Sequence, residues 1–144
     1  MATVRDVLRK KGSVIIALAP TATVLEAARV MSERSIGGVL VIDDGKLAGI
    51  FTERDVLRRV VAEQRDPAST SLGEVMTPSV MTCTPASTLD ECRVVMTERR
   101  IRHLPVMGAD GLCGVLSSGD VLAFQVAEQQ GTIEDLNRYV FESR

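Results

Sequence analysis

Two short stretches of the chain carry the residue types that could do chemistry. In each, a hydroxyl residue is followed three positions later by an aspartate: Thr52 and Asp55 in one, Ser117 and Asp120 in the other. A glycine and two apolar residues precede each pair, and an apolar run follows, so a strand is predicted to lead into a helix there. The N-terminus of such a helix offers free N–H groups to an anion. A carboxylate in the first turn can accept both hydroxyls of a ribose, at ~1.5–3 kcal/mol for each charge-assisted hydrogen bond. The pattern therefore indicates a nucleotide site.

The same spacing also has a purely structural explanation. Thr or Ser followed three residues later by an acidic residue forms a capping box, which satisfies free N–H groups at the start of a helix. Two further predicted helices open with this box and use glutamate, at Thr23 with Glu26 and at Thr88 with Glu91. The stretches above use the shorter aspartate in both copies, although it is the less favoured capping partner. Ligand binding and capping both remain open as reasons for the aspartate.

The two stretches belong to a longer internal repeat. When the chain is compared with itself at an offset of 65 residues, identical residues meet along most of each half. Among them are Pro20 with Pro85, Thr23 with Thr88, Glu26 with Glu91, Gly49 with Gly114, and Asp55-Val56-Leu57 with Asp120-Val121-Leu122. Such regular self-similarity indicates a duplication.

Each half is predicted to be β-α-β-β-α with a short helix in front. In the first half we predict a helix over Thr3–Lys10, a strand over Val14–Leu18, a helix from Thr23, strands over Gly38–Ile42 and Leu47–Phe51, a turn over Asp43–Lys46, and a helix over Thr52–Glu63. In the second half we predict a helix over Leu72–Met76, a strand over Val80–Thr84, a helix from Thr88, strands over His103–Met107 and Leu112–Leu116, and a helix from Ser117 to about Gln130.

The expected fold class is mixed α/β, with the two repeats packed sheet to sheet around a pseudo-twofold axis. A half of about 60 residues buries too little of its surface to be stable alone. Packing the two sheets together would leave two equivalent clefts between the halves. We predict repeats over residues 4–62 and 72–128, a polar linker over 63–71, and a C-terminal segment over 129–144 with a separate last helix, Ile133–Phe141, after Gly131.

Composition excludes several classes of function. The chain has 144 residues, 45% of them hydrophobic and 3% aromatic, and a net charge of −2, which gives no electrostatic case for nucleic acid. No apolar run approaches the ~18 residues of a membrane span. Three scattered cysteines fit reduced thiols and a cytoplasmic location. With one histidine and no P-loop, nucleophile elbow or metal-ligand spacing, the chain is not expected to be an enzyme or to carry a catalytic cofactor.

The repeat, the Gly-apolar-apolar-Thr/Ser-x-x-Asp stretch and the segment Ile101–Val106 together resemble the cystathionine-β-synthase (CBS) domain pair, or Bateman module. The resemblance extends from about Val4 to Val126, and the tail over 129–136 is similar to that of stand-alone bacterial CBS-pair proteins. It implies a module that binds an adenine nucleotide (AMP, ADP, ATP or NAD) and relays its level to a regulated partner protein.

The resemblance also implies site residues. Those implied to contact ribose and phosphate are Thr52, Arg54, Asp55, Ser117, Asp120, Arg102 and His103. Those implied to contact the base are Ile16, Ala17, Leu18, Thr82, Cys83, Pro105 and Val106, although core packing explains the same residues. The first repeat has Gly37 and Gly38 where the second has Arg102 and His103, and Arg54 where the second has Gly119, so the two clefts are expected to differ in ligand preference.

Apolar residues at the ends of two predicted helical segments, Val56–Val61 and Val121–Val126, indicate a homodimer formed through those helices. Two other functions remain open. One is a CBS-fold interaction scaffold that binds no ligand. The other is a thiol-linked redox regulator acting through Cys83.

Overall fold

The computed structural model describes residues 1–12, 14–78 and 80–142, and it shows the expected mixture of helices and small sheets. The first half contains α1 (Val4–Lys11), β1 (Ala17–Leu18), α2 (Val24–Arg34), β2 (Gly38–Asp43), β3 (Lys46–Thr52) and α3 (Glu53–Asp55), which continues as a π-helix over Val56–Val61. The second half contains α4 (Leu72–Val75), α5 (Leu89–Arg99), β4 (His103–Gly108), β5 (Gly111–Ser117) and α6 (Ser118–Glu142). The predicted order of elements within each repeat is confirmed, except for one strand of the second repeat, and the bounds of two further elements differ from the prediction, as described below.

The first half forms a three-stranded sheet in the order β1-β2-β3. Strands β2 and β3 are antiparallel and are joined at Asp44 and Gly45, both with positive φ (51° and 79°), as the Asp-Gly turn signal predicts. Strand β1 is parallel to β2 but contains only two residues, so the predicted strand over Val14–Leu18 was too long. The Leu40 N–H nevertheless donates to the Ile16 carbonyl at 3.1 Å, just before β1 begins.

Among the described residues of the second half, β4 and β5 are the only two paired strands, and the predicted strand over Val80–Thr84 is wrong. Cys83 makes a single parallel bridge to Val106. The next hydrogen bond along this ladder would come from the backbone N–H of residue 105, and Pro105 has none. Leu40, which precedes Pro105 by 65 positions, donates the equivalent bond to Ile16. One proline therefore accounts for the missing third strand.

The short helix in front of each repeat packs on the opposite repeat. Val4 and Val7 of α1 lie in the second half's core, and Leu72 and Val75 of α4 lie in the first half's core. Isolated antiparallel bridges mark both exchanges, Thr3 with Thr88 and Thr23 with Ser71. The exchange is reciprocal, as pseudo-twofold symmetry requires, and it ties the two halves together.

The helix that follows β5 is continuous, so the predicted break at Gly131 and the separate helix Ile133–Phe141 are wrong. A glycine inside a helix costs only about 1 kcal/mol relative to alanine. Directly after it, the Thr132 hydroxyl donates to the Glu128 carbonyl at 3.0 Å within the helix. The last two positions of the predicted C-terminal segment, 143 and 144, lie outside the described residues. No helix in the described ranges has the length and apolar character of a membrane span.

Candidate functional site

The larger cleft between the halves has a volume of about 740 Å³ and is called here the arginine cleft. It joins the start of α3 to the segments that precede α5 and β4. Its lining comprises Gly37, Ile50, Thr52, Glu53, Arg54, Asp55, Leu57, Arg58, Arg59, Thr77, Val80, Met81, Arg100, Ile101, Arg102, His103, Ser117, Ser118 and Gly119. A volume of this size lies within the range of small-molecule sites.

Asp55 is the buried anchor of the arginine cleft, with 7% of its surface exposed. One carboxylate oxygen, Oδ2, accepts the Thr52 backbone N–H at 2.9 Å and the Thr52 hydroxyl at 3.4 Å. The other, Oδ1, accepts the Thr77 hydroxyl at 3.1 Å and lies 3.6 Å from the Arg59 Nε. The carboxylate thus does what a capping residue does, and it is also held by two groups that line the cleft.

Five arginines and two carboxylates line this cleft, so its charge is strongly positive. Arg59 is engaged, since its Nη1 donates to the Met76 carbonyl at 2.8 Å, and Arg54 donates to the carbonyl of Arg100. The side chains of Arg58 and Arg102 make no hydrogen bond or ion pair with the described residues, so they can turn toward an anion. Guanidinium groups bind phosphate oxygens in bidentate geometry.

His103 lies between the arginine cleft and a second cleft and lines both. Its partial burial lowers the pKa of the imidazole, and nearby Lys11 and Arg102 act in the same direction. The carboxylates of Asp120 and Glu53 oppose this effect without overcoming it. His103 is therefore mainly neutral at pH 7, where it can donate and accept hydrogen bonds but adds no charge.

The second cleft has a volume of about 350 Å³ and is called here the lysine cleft. It joins the start of α6 to the segments around β1 and β2. Its lining comprises Lys11, Val14, Ile16, Ser35, Ile36, Gly37, Gly38, Val39, Leu40, Ile50, His103, Val115, Ser117 and Asp120. Many of these residues precede members of the arginine-cleft lining by 65 positions, for example Ile16 before Met81 and Gly37 before Arg102. The two clefts are therefore related by the internal repeat.

Asp120 has the position in the lysine cleft that Asp55 has in the arginine cleft. Its Oδ2 accepts the Ser117 N–H at 2.9 Å, and its own N–H donates to the Ser117 hydroxyl at 3.0 Å, which completes a capping box. The Lys11 ammonium forms an ion pair with the same Oδ2 and donates to the Val115 carbonyl at 2.7 Å. Partial burial disfavours the charged carboxylate, but the hydrogen bonds from Lys11 and Ser117 outweigh it and lower the pKa of Asp120.

The structure brings the predicted ribose- and phosphate-binding residues together. Thr52, Arg54, Asp55 and Arg102 line the arginine cleft, Asp120 lines the lysine cleft, and His103 and Ser117 line both. Of the residues predicted to contact the base, Ile16 lines the lysine cleft. The remaining six, Ala17, Leu18, Thr82, Cys83, Pro105 and Val106, line neither cleft. Cys83 and Val106 are buried in the second half's core. The roles of all these residues stay predictions.

Several cleft residues were missed by the sequence analysis. Arg58 and Arg59 directly follow the aspartate stretch, so their closeness in sequence was an available signal. Lys11 and Thr77 lie far from the aspartates that they contact, and they reach them only because α1 and α4 pack on the opposite repeats. No local pattern predicts that exchange.

The described part of the chain offers no cluster of three or more His, Cys, Asp or Glu residues that could hold a metal ion. Burial raises the pKa of the Cys83 thiol to about 12, and the neighbouring Cys92 adds to the effect. The Cys83 thiol is therefore protonated at neutral pH, whereas reactive cysteines are thiolates. A redox role needs a reactive thiolate, so the raised pKa argues against such a role for Cys83.

Comparison with known proteins agrees with this architecture. Residues 4–62 and 72–127 match the model of the CBS domain. The mitochondrial CBS domain-containing protein CBSX3 of Arabidopsis thaliana is 34% identical over 147 residues, which cover 96% of this chain and 71% of that protein. A solved CBS-domain protein from Burkholderia ambifaria is 39% identical with a TM-score of 0.86, covering 89% of this chain and 96% of that one.

A further solved structure, CBSX2 in complex with AMP, is 26% identical with a TM-score of 0.71, covering 90% of this chain and 99% of that one. The duplicated elements, the paired clefts and these similarities lead to one conclusion. The chain belongs to the CBS domain family and contains two CBS domains in tandem.

Proposed function

We propose that this chain is a regulatory module, not an enzyme, that binds an adenine nucleotide between its two CBS domains. AMP, ADP, ATP and NAD are the candidate ligands. The protein would report the level of its ligand to a partner protein. We place it in the cytoplasm, because its three cysteines are unpaired, as in a reducing compartment.

The observation that carries this proposal is the composition of the arginine cleft. A buried carboxylate at a helix start, Asp55, lines the same cleft as Arg58 and Arg102, whose side chains pair with no group in the described part of the chain. These are the groups that a ribose diol and a phosphate need, and they line one cavity. The complex of CBSX2 with AMP supports the proposal, because it shows an adenine nucleotide bound by a protein of the same fold.

Ligand binding can signal only if it favours one arrangement of the protein over another. A nucleotide in the arginine cleft would contact α3 of the first repeat and the entrance of β4 in the second. It would therefore favour the arrangement in which both contacts form. A partner protein that binds this arrangement more tightly would read the ligand level.

A homodimer is part of this proposal. Leu57 and Val61 on the π-helix are 63% and 60% exposed, and Leu122 and Val126 on α6 are 63% and 49% exposed. The two pairs are separated by 65 positions, so they form repeated apolar faces on equivalent helices. A second copy that packs against both faces would remove this surface from water at ~25 cal/mol per Å².

The hydrogen bonds of the two aspartates favour a second candidate function. Asp55 already has partners for both oxygens, and Asp120 already has an ion-pair partner, without any ligand. The same residues are therefore compatible with an interaction scaffold in which the aspartates only cap helices. The two candidates differ in whether adenine nucleotides bind at all.

Isothermal titration calorimetry with AMP, ADP, ATP and NAD tests the proposal on the wild-type protein. Two variants then examine the cleft: Asp55→Asn for the ribose and Arg102→Gln for the phosphate. Each is expected to weaken binding by roughly 10- to 100-fold. Arg29→Gln is the matched control, because Arg29 is an exposed arginine outside both clefts. Absence of binding by all four ligands at millimolar concentration would reject the sensor and favour the scaffold.

A further inference from the structure

We infer that Lys11 is the phosphate-selecting residue of the lysine cleft, which it keeps closed to unphosphorylated nucleosides by pairing with Asp120. This inference rests on the proposed function, because it concerns which adenine ligands the second cleft accepts. In this proposal Lys11 exchanges its ion pair with Asp120 for a contact with the phosphate of the ligand.

The geometry places Lys11 where a ribose would bind. Its ammonium bonds both the Asp120 carboxylate and the Val115 carbonyl, and the side chains of Lys11 and Asp120 are 33% and 26% exposed. Lys11 and the Ser117 N–H both bind Oδ2 of Asp120, so a ribose diol that donates to both oxygens of this carboxylate must compete with Lys11 at Oδ2. The ion pair is accessible to solvent from the cleft, so the exchange requires no opening of the core.

Lys11 is the one cationic partner that the described lining of the lysine cleft offers to a phosphate. Among the described residues that line it, Lys11 and Asp120 are the only two with full charges, since His103 is mainly neutral at pH 7. The arginine cleft is lined by five arginines, and the side chains of two of them, Arg58 and Arg102, have no hydrogen bond or ion pair with the described residues. Without Lys11, the lysine cleft would present a carboxylate and no cation to an anionic ligand.

These two facts give a selection rule. Adenosine can donate to both oxygens of Asp120 only by separating the ion pair at Oδ2, and it offers the ammonium no anionic partner in exchange. AMP also separates the pair, but its phosphate then accepts the Lys11 ammonium, so the lysine keeps an anionic partner. Wild-type protein should therefore prefer AMP to adenosine at this cleft by ~10-fold or more.

The exchange can occur by side-chain rotation alone. Lys11 is the last residue of α1, and Val4 and Val7 fix the body of that helix in the second half's core. The flexible four-carbon chain of lysine can direct its ammonium to either partner. Gly12, which follows with a φ of 86°, ends the helix there.

The test is a titration of the full chain with adenosine and with AMP, followed by NMR at the backbone amides. The amides of Val115 and Asp120, which line only the lysine cleft, report on that cleft, and those of Thr52 and Asp55, which line only the arginine cleft, report on the other. The variant is Lys11→Met, which keeps the length of the side chain and removes the charge. Lys11→Arg keeps the charge.

The control variant is Lys10→Met, because Lys10 is the neighbouring lysine and lines neither cleft. The Lys10 ammonium lies over the Phe124 ring instead, 5.0 Å from its centroid. In Lys11→Met the ratio of the adenosine Kd to the AMP Kd at the lysine cleft should fall by ~10-fold. The ratio should be retained in Lys11→Arg and Lys10→Met. At the arginine cleft it should not change in any variant.

A ratio in Lys11→Met within twofold of the wild-type value would overturn the inference. So would binding of both ligands at the arginine cleft with none at the lysine cleft, while the proposed function would stand. If wild-type protein binds neither ligand at either cleft, nor ADP, ATP or NAD, the proposed function fails and the inference fails with it.

Discussion

Replacement by alanine should destabilise the fold more at Gly49 than at Gly114, although the internal repeat makes the two positions equivalent. Gly49 and Gly114 are 65 positions apart. Gly49 lies against Met76 and Thr77, which follow α4, and Gly114 lies against Leu8 of α1. A Cβ at Gly49 would lie 2.6 Å from the Thr77 carbonyl oxygen, which is backbone. A Cβ at Gly114 would lie 2.9 Å from a terminal methyl of Leu8, which is flexible side chain.

The expected cost follows from the hydrogen bonds at each place. Ile50 and Thr77 exchange two backbone bonds, of 3.0 and 2.9 Å, and a Cβ on Gly49 would push this pair apart. Loss of both bonds costs about 1–3 kcal/mol at the usual net value for each. Leu8 can rotate away from Gly114→Ala, which should cost about 1 kcal/mol or less. The gain from replacing a strand glycine is common to both variants and cancels in the comparison.

Urea and thermal unfolding of the two variants measure this difference. Gly49→Ala should unfold below Gly114→Ala, by about 2–4 °C for each kcal/mol that separates the two costs. Hydrogen exchange should show weaker protection of the Thr77 amide in Gly49→Ala only. Equal stability of the two variants, with unchanged protection at Thr77, would refute the reasoning that backbone approach at Gly49 decides the outcome.

Three further predictions concern charge, thiols and assembly. The pKa of Asp120 is lowered by Lys11, so the ion pair should stabilise the fold above the ordinary value of 3.8 and lose this effect as the pH falls through the lowered pKa. The difference in unfolding free energy between wild type and Lys11→Met should thus be larger at pH 6 than in strong acid, where only the bond from Lys11 to the Val115 carbonyl remains; a difference of the same size at both pH values contradicts it. Native protein treated with iodoacetamide should be alkylated at the half-buried Cys113 before Cys83, whose pKa is about 12. Mass spectrometry of the peptides measures the order, and alkylation of Cys83 first would contradict the prediction. Leu57→Glu should convert a wild-type dimer into monomers in sedimentation velocity, whereas a wild-type monomer would remove the homodimer from the proposal.

The features that could be predicted from the sequence depend on residues close together in the chain. The Thr23 and Thr88 hydroxyls each accept an N–H three residues later, at 3.1 Å. The Asp44-Gly45 turn likewise needs no information from elsewhere. The length of the third strand in each half could not be predicted in this way, because it depends on whether the neighbouring strand can donate a backbone hydrogen bond to it. Pro105 is visible in the sequence, but its missing N–H shortens the ladder only because, in this register, residue 105 would donate to the Met81 carbonyl.

The candidate site divides in the same way. Thr52 with Asp55, and Ser117 with Asp120, were found because each pair lies within one helical turn. Lys11 reaches Asp120 across 109 positions, a contact that no local pattern shows. The exchange of the short helices between repeats produces such contacts, so these partners can be named only from the three-dimensional structure.

The helix exchange also bears on how a ligand in the lysine cleft would be sensed. Lys11, at the end of α1, is anchored to the second half's core, whereas Ile16 precedes β1 in the first half. Both line the lysine cleft, and they stand on either side of the connection from α1 to β1 in the chain. A ligand that draws Lys11 away from Asp120 and packs against Ile16 would act on both ends of this connection. In the proposed exchange the ligand would thus contact residues of both halves, and such contacts shift the arrangement of the halves only where they are stronger in one arrangement than in the other.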